Sequence, residues 1–580
     1  MMKIKKSLAT ITLLFTATTL FAQSGNGIYY YHLGEHQKAK EYLNKELNIN
    51  SSENYFYLGE LSFLENDMQK AEEYYIKGQS SNPENIHNLI GLNKLKLKTN
   101  PREASGVFES IIYKNKKNAD AMIAIGRAYL DNNMIPEAEK YILMAKFTNE
   151  KNSSIYILEG DLLLKGNDAK KSGEAAGKYE MATYFNSDYI LGYLKAAQIY
   201  EKISPSIAIE KLKIALEKQP DLIVTYDFLA KVYTQNGFYL QAIEMYEIYF
   251  KSETYLVDDI ERYARSLYFT EQFPEAQKWV DEGLKKEPDH FVLNRYNMYI
   301  QAKTKNIDKG LKVAQKFFSL RDSSGYIASD YSIYAFILKE AKQYNEAIVQ
   351  QNKAISKDLY NPELYAEAAV TAREKKDYGL AIDYIREMMD KKTLFANSPD
   401  YEDDVVDINS LGYDYYSAGV SIAKNQPLAQ QLIKDEKIIK QVLNAEKNVN
   451  IDSLKNNIDY FTKKYSLYCL HKADSVFNIL IERLPNSYSG YRFKALTQHA
   501  INPNTEAGLA KPYYEKVVEI ITVMEPEKQN KRILLEAYNY LGYYYYMKRD
   551  KANTTLYWNK VLEIDPENKN AKLVLDEMNK

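Results

Sequence analysis

The residues best suited to chemistry lie in one short stretch. His32, Leu33, Gly34, Glu35 and His36 satisfy an H-x-x-E-H pattern, in which two imidazoles hold a zinc ion and a carboxylate activates its bound water. Such a site needs one continuous helix beneath both histidines and a third ligand. Gly34 marks a turn instead, and Ala39 and Leu43 open a new helix after it, so a chance match is the expected reading. The other histidines, His87, His290, His471 and His499, are scattered. Gly173, Gly177 and Lys178 imitate a phosphate loop one residue short, with Tyr179 where a magnesium-binding hydroxyl is required. The acidic run Asp400, Glu402, Asp403 and Asp404 lacks the alternation and central glycine of a calcium loop and reads as a solvated linker. No catalytic residue, metal or cofactor is expected.

Composition narrows the classes further. Lys plus Arg number 76 against 78 Asp plus Glu, a net charge of -2, so no overall field would condense a nucleic-acid backbone and nucleic acid is not an expected partner. The single cysteine, Cys469, excludes an internal disulfide and a thiolate metal cage within one chain. Its neighbours Tyr468 and Leu470 suggest a buried thiol. At the N-terminus Lys3, Lys5 and Lys6 precede an apolar stretch from Ser7 to Phe21 that ends at Ala22. This is the order of a cleaved secretory signal, so residues 1–22 are expected to be removed and the mature chain to have no membrane span.

Such residues need elements to position them, and internal periodicity supplies those elements. Leu541, Gly542 and Tyr545 are followed by Trp558, Val561 and Pro566; Leu58 and Gly59 by Ala71, Tyr75, Gly78 and Pro83; Ile125, Gly126 and Tyr129 by Ala138, Ile142 and Ala145. The frame recurs at Ala264, Ala276, Gly283 and Pro288, at Leu229, Ala230, Tyr233, Ala242 and Tyr246, and at Ala335, Ala347 and Ala354. It predicts two antiparallel helices per unit. Small residues let the backbones approach, an aromatic one turn later fills the gap, and a proline beyond the second helix ends the unit. Pro83, Pro220, Pro288, Pro485 and Pro566 take that last role. Between Ile155 and Ser187 the connection is expected to be lengthened by Gly166, Asn167, Gly173 and Gly177, and the frame is weak near 290–320.

These residues resemble the tetratricopeptide repeat over most of the chain, and the ending Leu-Phe-Ala-Gln of the apolar stretch resembles export signals common in Bacteroidetes. The resemblance implies an all-α superhelical solenoid. The organisation expected is a signal peptide at 1–22, an N-terminal array at 23–390, an irregular helical joint or insertion at 391–470, and a C-terminal array at 471–580. It also implies which side chains face the concave groove: Phe56, Glu60, Phe63, Arg127, Arg265, Tyr268, Phe336, Tyr413, Tyr416, Tyr543 and Tyr546. Tyrosine is abundant, 53 of 580 residues, and rings of that kind make contacts at low entropic cost. The expected function is a periplasmic or envelope scaffold binding a partner protein segment in the groove. The alternative is a carbohydrate or peptidoglycan binder using the inner tyrosines.

Overall fold

The computed structural model describes residues 25–48, 51–165, 169–395, 404–445 and 449–579. The expected signal segment lies outside them, as do Gly166, Asn167, Asp400, Glu402 and Asp403. The described residues form α-helices joined by turns and short 3-10 segments, with no strand among them. No described helix is long and apolar enough to cross a membrane.

One hairpin shows why the sequence folds this way. The helix Ser51–Leu64 runs into Met68–Ser81 through Asn66, whose φ of 62° is left-handed. The Asp67 N–H donates to the Ser62 carbonyl at 2.9 Å and the Asn66 N–H to that of Phe63 at 3.0 Å, satisfying the last carbonyls of the first helix. The Asp67 carboxylate then accepts from the Lys70 N–H at 3.1 Å and starts the second helix. Gly59 faces Tyr75 so closely that an added Cβ would lie 2.5 Å from the ring, and Ala71 is completely buried beside it. Pro83 follows the end of the pair.

The same devices recur. A left-handed residue occupies the tight turn at Asn133, Gly237, Glu271, Lys305, Lys342, Lys376 and Arg549. Gly126 lies against Leu158 and the Ala138 carbonyl, and a Cβ added at Gly542 would lie 3.0 Å from the Trp558 ring. Ala138, Ala242 and Ala276 are completely buried. The helices preceding Pro220, Pro288, Pro485 and Pro566 end at Lys218, Lys286, Arg483 and Ile564.

One expectation changes. Gly173 and Gly177 do not lengthen a loop; they lie within the helix Ser172–Phe185, where nothing approaches within 4 Å of either Cβ position. That helix packs through Ala175, Ala176, Tyr179 and Ala182 instead, so its glycines fall on a face that needs no side chain. Within 391–470 the described residues show how a joint or insertion can be built there. Val405–Ser421 packs directly on the 26-residue helix Ile458–Arg483, and a Cβ added at Gly412 would lie 2.5 Å from the Phe477 ring. Between the two in sequence come the short helices Gln426–Leu432, Glu436–Ala445 and Ile451–Asn456. A repeat pair is therefore interrupted by an insertion, which hides its second helix from any fixed spacing. The chain divides into two compact units, Met1–Ile300 and Gln301–Lys580.

Candidate functional site

In the first unit the first helices of successive pairs share one inner face. Asn26–His32, Ser51–Leu64, Ile86–Lys94, Ala119–Asp131, Ser153–Leu164 and Ile190–Ile203 surround a cavity of about 500 Å³. Of the side chains expected on the concave face, Phe56, Glu60 and Arg127 line it, together with Tyr31, Tyr57 and Tyr189. Tyr31 packs edge-on to Tyr57 with ring centroids 5.1 Å apart, and Phe56 lies 5.5 Å from His87. The face is thus aromatic and polar at once, a composition suited to holding a chain that offers both side chains and amides.

Most charges on this face have partners. The buried Glu60 takes the Lys94 ammonium at 2.6 Å and the Tyr75 hydroxyl at 2.6 Å, while Lys94 also reaches Asp131 at 2.7 Å. Phe63 lies beneath that ammonium, 4.1 Å from its ring centre, and is buried with Ala71 and Tyr75 instead of lining the cavity. Asp161 accepts from Arg127 at 2.6 Å, Lys195 at 2.9 Å and Tyr179 at 2.6 Å. Burial opposes its charge, but the two cations outweigh burial and hold its carboxyl well below the usual range.

His32 also lines the cavity, with its Nε2 3.4 Å from the Tyr57 hydroxyl. Burial first, then Arg127 and Lys195, push the imidazole down to about 3, so it is neutral at ordinary pH. His32 ends one helix and His36 begins the next, with Gly34 at φ 77° between them. Among the described residues no three His, Cys, Asp or Glu side chains gather as metal ligands.

The first hairpin, Asn26–His32 with His36–Lys45, meets helices far along the chain. The Gln198 side chain donates to the Leu33 carbonyl at 2.7 Å and the Val224 N–H to Asn26 Oδ1 at 3.1 Å. Lys38 Nζ lies 2.5 Å from Asp227 and 2.7 Å from Asp259, all three being buried; Arg262 also pairs with Asp259. The Tyr30 hydroxyl donates to Asp227 at 3.0 Å and that of Tyr249 to Asp259 at 2.8 Å. Burial raises the Asp227 carboxyl, whereas Lys38 and Arg262 overcome burial and lower that of Asp259. One lysine thus joins helices 189 and 221 residues away in sequence.

The remaining expected residues are dispersed. Arg265 is half-buried with its Nε unpartnered, and Tyr268 packs among Phe269, Phe273, Tyr296 and Tyr299. Phe336 lines a separate cavity in the second unit. Tyr413 is exposed and edge-on to Phe493, while Tyr416 is half-buried. Tyr543 is exposed with Tyr546 6.4 Å away, the latter donating to Glu577 at 3.0 Å. Sequence reasoning missed Tyr31, Tyr57, Tyr189 and Lys195 as lining residues. The periodic frame itself could have found Tyr57, one residue after Phe56, but nothing local marks Lys195.

No protein-family model matches the sequence, and no curated protein matches it. Among solved structures the chain is similar to the C-terminal part of a TPR repeat-containing protein from Cytophaga hutchinsonii, at 24% identity over 54% of this chain and 99% of that one, with a TM-score of 0.39. It is also similar to a tetratricopeptide repeat protein from Parabacteroides merdae, at 15% identity over 44% and 98% of the two chains, TM-score 0.30. Yeast Tom70 is similar at 13% identity over 70% and 98%, TM-score 0.27. The paired helices described above, with small residues where they cross and left-handed residues where they turn, make this chain a tetratricopeptide-type α-solenoid.

Proposed function

We propose that the chain is a non-enzymatic scaffold of the periplasm or cell envelope that holds a segment of a partner protein against its inner helix face. One observation carries the reading: six first helices direct aromatic and hydrogen-bonding side chains around one cavity of about 500 Å³ in the first unit. That is room for several residues of a bound chain. Export rests on the Lys3 to Ala22 pattern alone. The exposed rings of Tyr413 and Tyr543 favour a second reading, a carbohydrate surface.

A photo-crosslinking residue at Tyr57, compared with one at Phe147, which is 98% exposed on the second helix Ile135–Asn149, tests the first reading. A discrete protein adduct from position 57 and none from 147 is expected. No adduct from 57, or equal labelling from both, contradicts it. Retention on a glycan array that is lost when Tyr413 and Tyr543 are replaced by alanine would support the second reading in its place.

A further inference from the structure

We infer that the second unit has a binding cavity of its own, built for an acidic chain segment that inserts an apolar side chain. This rests on the reading that inner helix faces receive chain segments, and adds the chemistry of what this one takes. The cavity measures about 470 Å³. Ser332, Ile333, Phe336 and Lys339 enter it from the helix Ala328–Glu340, at spacings that put them on one face. Glu367, Val370 and Thr371 enter from Pro362–Glu374. Ile333, Phe336 and Val370 give an apolar floor, and Val370 is 42% exposed in the absence of an occupant.

The rim is cationic. Lys303, Lys305 and Lys339 line the cavity against a single carboxylate, Glu367, which already accepts the Ser332 hydroxyl at 2.5 Å. Lys339 is shared with Glu340 at 2.7 Å and Glu374 at 3.4 Å. The ammonium groups of Lys303 and Lys305 have no hydrogen-bond or ion-pair partner among the described residues. Lys305 holds the left-handed turn position at φ 56°, which fixes where its side chain leaves the backbone.

Gln351 also lines the cavity and is only 4% exposed, its Nε2 donating to Thr371 Oγ1 at 2.6 Å and to the Glu367 carbonyl at 3.2 Å, which holds the wall in place. An inorganic anion would satisfy the lysines but leave the apolar floor unmet. An acidic segment carrying an aromatic or branched side chain meets both.

The test uses the full chain and a fluorescein-labelled peptide with one phenylalanine between paired acidic residues. Its controls replace the phenylalanine by alanine or the acids by lysine. Wild type should bind the acidic phenylalanine peptide, more weakly as salt rises, and should discriminate against both controls. Lys303→Glu with Lys305→Glu, both at exposed positions, should weaken that peptide about tenfold and admit the basic one. Phe336→Ala should weaken the phenylalanine peptide while leaving the alanine control unchanged. Equal binding of acidic and basic peptides by wild type, or unchanged binding by the double lysine variant, overturns the inference. If adducts still form from Tyr57, that failure is confined to this cavity; if they do not, the underlying reading falls as well.

Discussion

The two cavities, one in each unit, differ in how their charges are paired, although the second unit has buried pairs elsewhere, such as Arg373 with Asp414. In the first unit, Glu60, Arg127, Asp161 and Lys195 are bound up in ion pairs with one another or with Lys94 and Asp131, and Lys38 is held between two buried carboxylates. In the second, Lys303 and Lys305 stand beside an apolar floor and neither ammonium group has an ion-pair partner among the described residues. Paired buried charges are costly to leave alone and so fix a geometry. Unpaired exposed charges cost little in the fold and are available to a partner. The cavity of the first unit thus has charges that hold its own helices together, and that of the second has lysines left for a guest.

The strongest way to break the contrast is to remove Lys38. Lys38→Met should leave Asp227 and Asp259 short of their counter-charge in a buried setting and destabilise the first unit by about 3 to 5 kcal/mol. Chemical denaturation reads the loss, and faster hydrogen exchange over residues 26–45 locates it. A loss below about 1 kcal/mol would mean that the Lys38 ion pairs do not hold the hairpin in place.

Next in size is the crossing glycine. Gly59→Ala and Gly412→Ala each place a Cβ 2.5 Å from an aromatic ring, Tyr75 in the first unit and Phe477 in the second. Each should cost about 1 to 3 kcal/mol, and comparable values would establish that the interrupted pair Val405–Ser421 with Ile458–Arg483 packs as a true repeat. A negligible cost at Gly412 alone would place that pair outside the repeat architecture.

A smaller effect separates two titrating groups of the first unit. His32 has its folded value lowered from 6.5 to about 3, so its contribution is lost as pH falls through that interval. Glu46, raised by burial from 4.5 to about 7 against the opposing amides of Gly25, Asn26 and Gly27, works the other way, losing stability as pH rises. Between 4.5 and 6.5 the two oppose each other. His32→Gln should unmask the Glu46 trend, a fall of up to about 1.4 kcal/mol per pH unit as pH rises. A slope in the variant equal to that of the wild type would contradict the assignment to His32. Smallest of all, Tyr543→Ala removes an exposed ring and should change stability by less than about 0.5 kcal/mol, while a sugar-binding role would show as lost retention on glycans.

Much of the fold can be read in the chain because its determinants are local. Gly59, Gly126 and Gly542 meet Tyr75, Leu158 and Trp558 through a helix crossing that a fixed spacing encodes, and the prolines stand two residues past the last residue of the helices they follow. Of the side chains that the repeat resemblance places on the inner face, Phe56, Glu60 and Arg127 line the first unit's cavity. The resemblance fails at Phe63, which Lys94 covers, because the next pair's side chain decides whether that position is open. It also fails at Tyr268, which is enclosed by neighbouring rings. The Lys38, Asp227 and Asp259 cluster has no sequence signature. Its members come together only after many small rotations between stacked repeats have accumulated. The insertion at 426–457 likewise conceals the partner of Val405–Ser421, since periodicity cannot reach across added helices.

Hydrogen exchange of the full chain, with and without the acidic phenylalanine peptide, tests the inner-face account most directly. The account predicts new protection in the first helices Ala328–Glu340 and Pro362–Glu374, with the exposed side of the second helix Tyr344–Lys357 little changed. Protection concentrated on Tyr344–Lys357, or spread evenly over both members of each pair, would contradict it.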